Sequence, residues 1–168
     1  FVTGELGGSL AGKHLEFEPR LTEARWLAEN FSLHAMMDIS DGLAGDLRHL
    51  LQASRVGADL LSSAIPVSRA ACSRRRKEAG NGTPPPSPPP PDGGYKLPLL
   101  AALTDGEDFE LLFTVASKAA VPLLDKWKAN FPELPLSCIG KVTAGSGLTI
   151  RDKHGIRPLT AHGYTHFA

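Results

Sequence analysis

The sequence predicts an α+β fold in which a mixed β-sheet is layered with helices. Helix-spaced and strand-like apolar patterns alternate through the first part of the chain. Near the end, strand-like runs follow one another directly, which a doubly wound parallel sheet would not show. The 168 residues suffice for one ordinary domain with a single core.

Each element has its own warrant. Phe1 to Gly8 reads as a strand end followed by a glycine turn. Thr22–Asn30 reads as a helix that opens after Pro19. Ala35–Ile39 is a short buried strand. Leu43, Leu47, Leu50 and Leu51 recur at helical spacing, so a helix covers roughly 42–54. Ala58–Leu61 and Phe109–Val115 read as strands, and Glu110 is expected to alternate outward from the second. A helix covers residues 118–130, with Pro122 in its first turn or at its true start. Leu136–Lys141 and Leu148–Arg151 read as strands, and Lys153-His154-Gly155 as a hairpin turn before Ile156. Met36 and Met37 are assigned to packing, Trp26 and Trp127 to covering the sheet, and Cys138 to the core.

Composition removes several functions. Lys and Arg number 18 against 18 Asp and Glu, so the basic excess of a nucleic-acid or membrane-surface protein is missing. No apolar run approaches the roughly 18 residues of a spanning helix. Cys72 and Cys138 form neither a disulfide framework nor a zinc pattern, and six scattered histidines show no ligand spacing. The chain therefore reads as reduced and cytoplasmic, with no nucleic-acid or membrane partner. It starts at Phe1 rather than Met, on a strand that needs a partner from elsewhere, so it reads as a piece of a longer protein; the alternative is a processed or tagged terminus. Residues 72–95 combine the basic run Arg74–Lys77 with prolines 84–86 and 88–91, and read as a flexible surface insertion.

Two acidic turns carry the chemistry. Asp38 ends a strand, Asp41 sits where the next helix begins, and Gly42 just after it lets the backbone turn tightly. Neighbouring carboxylates are tolerated when a cation lies between them, and oxygen-only ligands suit Mg²⁺. Ser40 adds a hydroxyl, and the helix start adds N–H groups that suit a phosphate. The competing reading makes Ser40 or Asp41 an N-cap, which leaves Asp38 unexplained. On spacing alone both readings stand. The second turn holds Asp105, Glu107, Asp108 and Glu110 around Gly106. Glu107 and Asp108 are expected on a loop facing a ligand or cation; the alternative is a polar turn whose acids cap a neighbour.

The segments Asp38-Ile39-Ser40-Asp41-Gly42-Leu43 and Thr104-Asp105-Gly106-Glu107-Asp108-Phe109-Glu110-Leu111-Leu112, in this order, resemble thiamine-monophosphate kinases. The opening Val2–Gly12 resembles that family's hinge between two domains, Cys138–Val142 its late strand, and Gly163-Tyr164-Thr165-His166-Phe167 its ending. The wider group is the aminoimidazole ribonucleotide synthetase superfamily. The resemblance implies the fold of that superfamily's C-terminal domain, with the N-terminal ATP- and Mg²⁺-binding domain absent. It implies transfer of the γ-phosphoryl group of ATP to thiamine monophosphate, with several Mg²⁺ ions and a homodimeric full-length enzyme. Carried onto this sequence, Asp38 and Asp41 would bind Mg²⁺, Ser40 would contact ATP, and Glu107 and Tyr164 would contact the thiamine moiety. No side chain is assigned a covalent catalytic role. The isolated chain is expected to have little or no kinase activity. Two departures stand out: Asp105 occupies a position where the family has glycine, and the proline insertion separates the two acidic motifs. These keep two alternatives in play, a sister ATP-dependent enzyme with another phosphorylated substrate and a non-catalytic binding module that uses Pro84–Pro91.

Overall fold

The computed structural model describes residues 1–9, 12–15, 17–69, 71 and 97–163. The insertion expected over 72–95 lies outside the described residues. In chain order the elements are β1 (Val2–Thr3), α1 (Leu21–Asn30), β2 (Leu33–Asp38), α2 (Leu43–Ser54) and β3 (Gly57–Leu61). They continue with α3 (Leu97–Thr104), β4 (Leu111–Val115), α4 (Ala120–Asn130), β5 (Leu136–Ser137), β6 (Gly140–Thr143), β7 (Gly147–Asp152) and β8 (Gly155–Pro158).

The strands divide between two four-stranded sheets, with orders β2-β4-β1-β5 and β6-β3-β7-β8. The first is antiparallel throughout. The second is mixed, because β3 runs parallel to β7 while both outer pairs are antiparallel. The expected α+β architecture with a mixed sheet is therefore present, alongside a second sheet that the sequence did not separate from it.

Helix α2 follows its leucine pattern: Leu43, Leu47 and Leu51 are buried and join the larger core with Leu6, Ile39, Leu103 and Ile150. It ends at Arg55, whose left-handed φ of 54° lets its N–H reach the carbonyls of Gln52 and Leu51. A second core gathers Leu27 of α1, Phe113 of β4, and Leu123 and Trp127 of α4. Pro122 lies in the first turn of α4, where its missing N–H has no helical partner to lose. Trp127 Nε1 donates to the Leu134 carbonyl at 2.7 Å, satisfying a buried indole.

Three expectations are corrected. Residues 136–141 are not one strand: β5 ends in the first sheet and β6 begins in the second. Ile139 is buried at the crossing, and its carbonyl accepts the Leu61 N–H at 2.8 Å. Gly140 is required just after it, because a Cβ there would collide with the Asp59 carbonyl. Cys138, placed in the core from sequence, is exposed. The strand expected from Phe109 starts at Leu111, since Phe109 has φ 52° and cannot continue a pleat. Helix α3 escaped the sequence reading: Leu97–Thr104 is apolar nearly throughout and so shows no period to detect.

Candidate functional site

Strand β2 delivers Asp38 to the end of the first sheet, opposite Leu111 of β4. The pairing then continues beyond both strands. Ile39 donates to the Glu110 carbonyl at 2.8 Å, Phe109 donates to the Ile39 carbonyl at 2.9 Å, and Glu107 donates to the Ser40 carbonyl at 2.8 Å. The two acidic turns are thus clasped backbone to backbone. Glycine makes the clasp possible. Gly106 has φ 69°, and a Cβ on it would stand 2.7 Å from the Ser40 carbonyl oxygen. Gly42 has φ 93° and packs on the last turn of α3, where a Cβ would stand 3.0 Å from the Leu103 carbonyl oxygen.

Gly42 is also the N-cap of α2, so neither Ser40 nor Asp41 takes the capping role that spacing allowed. Asp46, in the first turn of α2, does a related task. Its Oδ2 accepts the N–H of Ser40 at 2.9 Å and of Asp41 at 3.0 Å. It is buried, at 1% exposure. Burial is the main cause that lifts its carboxyl above the ordinary value of 3.8; the charges of Asp41 and Asp38 push the same way, and the two backbone bonds oppose them. The sequence reading missed Asp46, whose only local signal is an acid in a helix's first turn.

Asp38 is exposed and Asp41 and Ser40 are half-buried on this turn, while Glu107 is exposed on the other. The backbone clasp brings these four residues together. Among the described residues no three acidic, histidine or cysteine side chains gather closely enough to hold a metal ion. Tyr164 lies outside the described residues. Its neighbour Gly163 packs against the Asp41 carbonyl and Gly45, where no larger residue would fit.

Two acids of the second turn face inward rather than outward. Asp108 is buried and accepts the Gly7 N–H at 2.9 Å through Oδ1. Glu110, expected to point outward, is 2% exposed and forms a bidentate pair with Arg20, Nε to Oε2 and Nη2 to Oε1 both at 2.9 Å. Thr3 Oγ1 donates to Glu110 Oε2 at 2.8 Å and accepts the Leu111 N–H at 2.8 Å. Alternation failed here because the left-handed Phe109 resets the facing of the next side chain. Asp105 is not among the residues at positive φ; Glu107 and Phe109, both at 52°, are. The Phe109 ring stacks on Phe17 at 4.1 Å between centroids, a contact between distant segments with no local sequence signal.

The model of the family described as AIR synthase related protein, C-terminal domain, matches residues 3–153. The chain belongs to this family. As an AIR synthase related domain, it is 40% identical over 149 residues to a thiamine-monophosphate kinase of Rhodopirellula baltica, a match spanning 88% of this chain and 40% of that protein. It is 32% identical over 195 residues to the thiamine-monophosphate kinase of Escherichia coli, spanning 100% of this chain and 52% of that protein. Among solved structures, AaThiL complexed with AMPPCP and TMP is similar at TM-score 0.64 and 29% identity, covering 99% of this chain and 50% of its own. Escherichia coli HypE, a hydrogenase maturation protein, shares the fold at TM-score 0.63 and 19% identity, covering 95% of this chain and 48% of its own. This AIR synthase related domain thus spans about half the length of the curated relatives it matches. Among the described residues, no helix is long and apolar enough to cross a membrane.

Proposed function

We propose that the chain is the C-terminal half of an ATP-dependent thiamine-monophosphate kinase, acting in a cytoplasmic homodimer whose other domain supplies further carboxylates and much of the nucleotide pocket. The observation that supports it most is the clasp: the residues assigned to metal and ATP are joined by hydrogen bonds to the turn assigned to thiamine. The relatives named thiamine-monophosphate kinase, and the neighbour bound to AMPPCP and TMP, support the same reading.

In this reading Asp38 and Asp41 hold Mg²⁺, Ser40 contacts ATP, and Glu107 and Tyr164 contact thiamine. The donor chemistry fits Mg²⁺. Both carboxylates stand on one turn, and Mg²⁺ is commonly held by one or two carboxylates with water and substrate phosphates completing its shell. Bound there, it would neutralise charge on the phosphoryl group in transfer. The remaining work of the chain is positioning. The clasp sets the distance between the turns, and the Phe17–Phe109 stack stands two residues from Glu107. An aromatic face beside a carboxylate suits a cationic thiazolium. Direct in-line transfer then needs alignment and charge neutralisation, with no covalent intermediate on the protein.

Calorimetric titration of the proposed two-domain enzyme with thiamine monophosphate and AMPPCP, with and without Mg²⁺, tests this reading. Mg²⁺-dependent binding of the nucleotide analogue together with binding of thiamine monophosphate is expected. Binding of neither ligand at millimolar concentration would remove the proposal.

A further inference from the structure

We infer that Asp46 is a positioning residue for a divalent cation: its buried carboxylate holds the Ser40–Asp41 backbone inward so that the Asp38 and Asp41 side chains serve the ion. The inference rests on the proposed Mg²⁺ reading of that turn.

The geometry is specific. One oxygen, Oδ2, takes both successive N–H groups of the turn, at 2.9 and 3.0 Å. Two such N–H groups on one acceptor form a small anion-binding concavity, filled here by the chain's own carboxylate. With its backbone donors turned inward, the turn is held from below.

The charge needs a separate explanation. A neutral Asn oxygen could accept the same two bonds. Instead a carboxylate at 1% exposure is kept, and among the described residues no cation pairs with it and no donor meets its Oδ1. A buried charge without a cation is costly, and the two N–H bonds and the start of α2 offset part of that cost rather than all of it. The cost is compounded by Asp38 and Asp41, whose negative charges act on it. A divalent cation at the turn reverses that balance, because the buried charge then adds to the attraction. Asp46 therefore lowers the stability of the chain without the ion and raises its affinity for the ion, as functional sites commonly do.

A purely structural cap would behave differently, and Asp46→Asn separates the two. The probe is Mn²⁺ on the proposed two-domain enzyme, followed by its electron paramagnetic resonance signal in the presence of AMPPCP; melting is followed in EDTA. The expected result is a melting temperature in EDTA equal to or above that of the unsubstituted chain, with Mn²⁺ affinity weakened about tenfold or more, the scale on which supporting partners act at metal sites. Asp46→Ala, which loses both acceptor bonds, should instead melt lower and bind Mn²⁺ no better. Mn²⁺ affinity unchanged in a folded Asp46→Asn chain would overturn the inference and leave the Mg²⁺ reading intact. An unsubstituted two-domain enzyme that binds no Mn²⁺ would remove the Mg²⁺ reading and this inference with it.

Discussion

Asp38 and Asp41 differ in setting although they share a turn. Asp38 is exposed at the end of β2, while Asp41 is half-buried with its carbonyl against Gly163. Asp38 therefore contributes little to packing, and Asp38→Asn should leave the fold intact. In the proposed kinase, the substitution should lower phosphoryl transfer by orders of magnitude at unchanged melting temperature; wild-type turnover would take Asp38 out of the proposed metal site. Gly106 predicts the opposite pattern. With φ at 69° and the Ser40 oxygen 2.7 Å from where a Cβ would stand, Gly106→Ala must strain or open the clasp. A loss of roughly 1–3 kcal/mol in urea unfolding is expected, the usual cost of a forced left-handed residue.

At the scale of elements, the Arg20–Glu110 pair ties three segments together. Arg20 precedes α1, Glu110 precedes β4, and Thr3 of β1 bonds to both the carboxylate and the Leu111 N–H. Gly4 lies so close to that carboxylate that any Cβ would overlap it. The Arg20 side chain is 20% exposed and the Glu110 side chain 2%, so removing the arginine leaves a nearly buried charge without its bidentate cation. Arg20→Ala should destabilise by about 3–5 kcal/mol, the usual cost of breaking a buried pair from one side. The Arg20→Met/Glu110→Leu double variant should recover much of that loss in the same urea titration; no recovery would mean that the pair orders the second turn rather than merely neutralising itself.

Across the whole molecule, two acids shape the acid limb of stability in opposite directions. Asp59 is held below its ordinary value of 3.8, chiefly by the Arg151 side chain 3.0 Å away. Its contribution is present above 3.8 and is lost as pH falls through the lowered folded value. Asp46 is raised, so its contribution is present below 3.8 and is lost as pH rises through the raised folded value. Thermal melts across the acid range should therefore show a shallower acid-side loss in Asp59→Asn and a steeper one in Asp46→Asn. The chain's length bears on activity at this scale. It spans about half of its curated relatives, and in the proposed reading the other half brings most of the metal ligands. By itself the chain should release little or no ADP in a coupled assay with thiamine monophosphate; normal turnover would refute the division of labour.

Local physics made much of this protein legible from its sequence. The leucine spacing of α2 and the Asp152–Gly155 hairpin depend on neighbours a few residues away, and they appear where the pattern puts them; the apolar run of β4 does so from Leu111 onward. The same holds for the acid at a strand end followed by a glycine at the next turn. The fates of Asp108 and Glu110 were not legible, because each is decided by a partner brought in from another segment or by a single left-handed residue that reverses facing; Asp46 has near neighbours as partners, but its bonds to Ser40 and Asp41 exist only because the turn folds back over the start of α2. Nor could any periodicity reveal that residues 136–143 change sheets at Ile139, or that Phe17 finds Phe109. Spacing along the chain determines which side chains are available; only packing in three dimensions decides which acids face water and which are held inside.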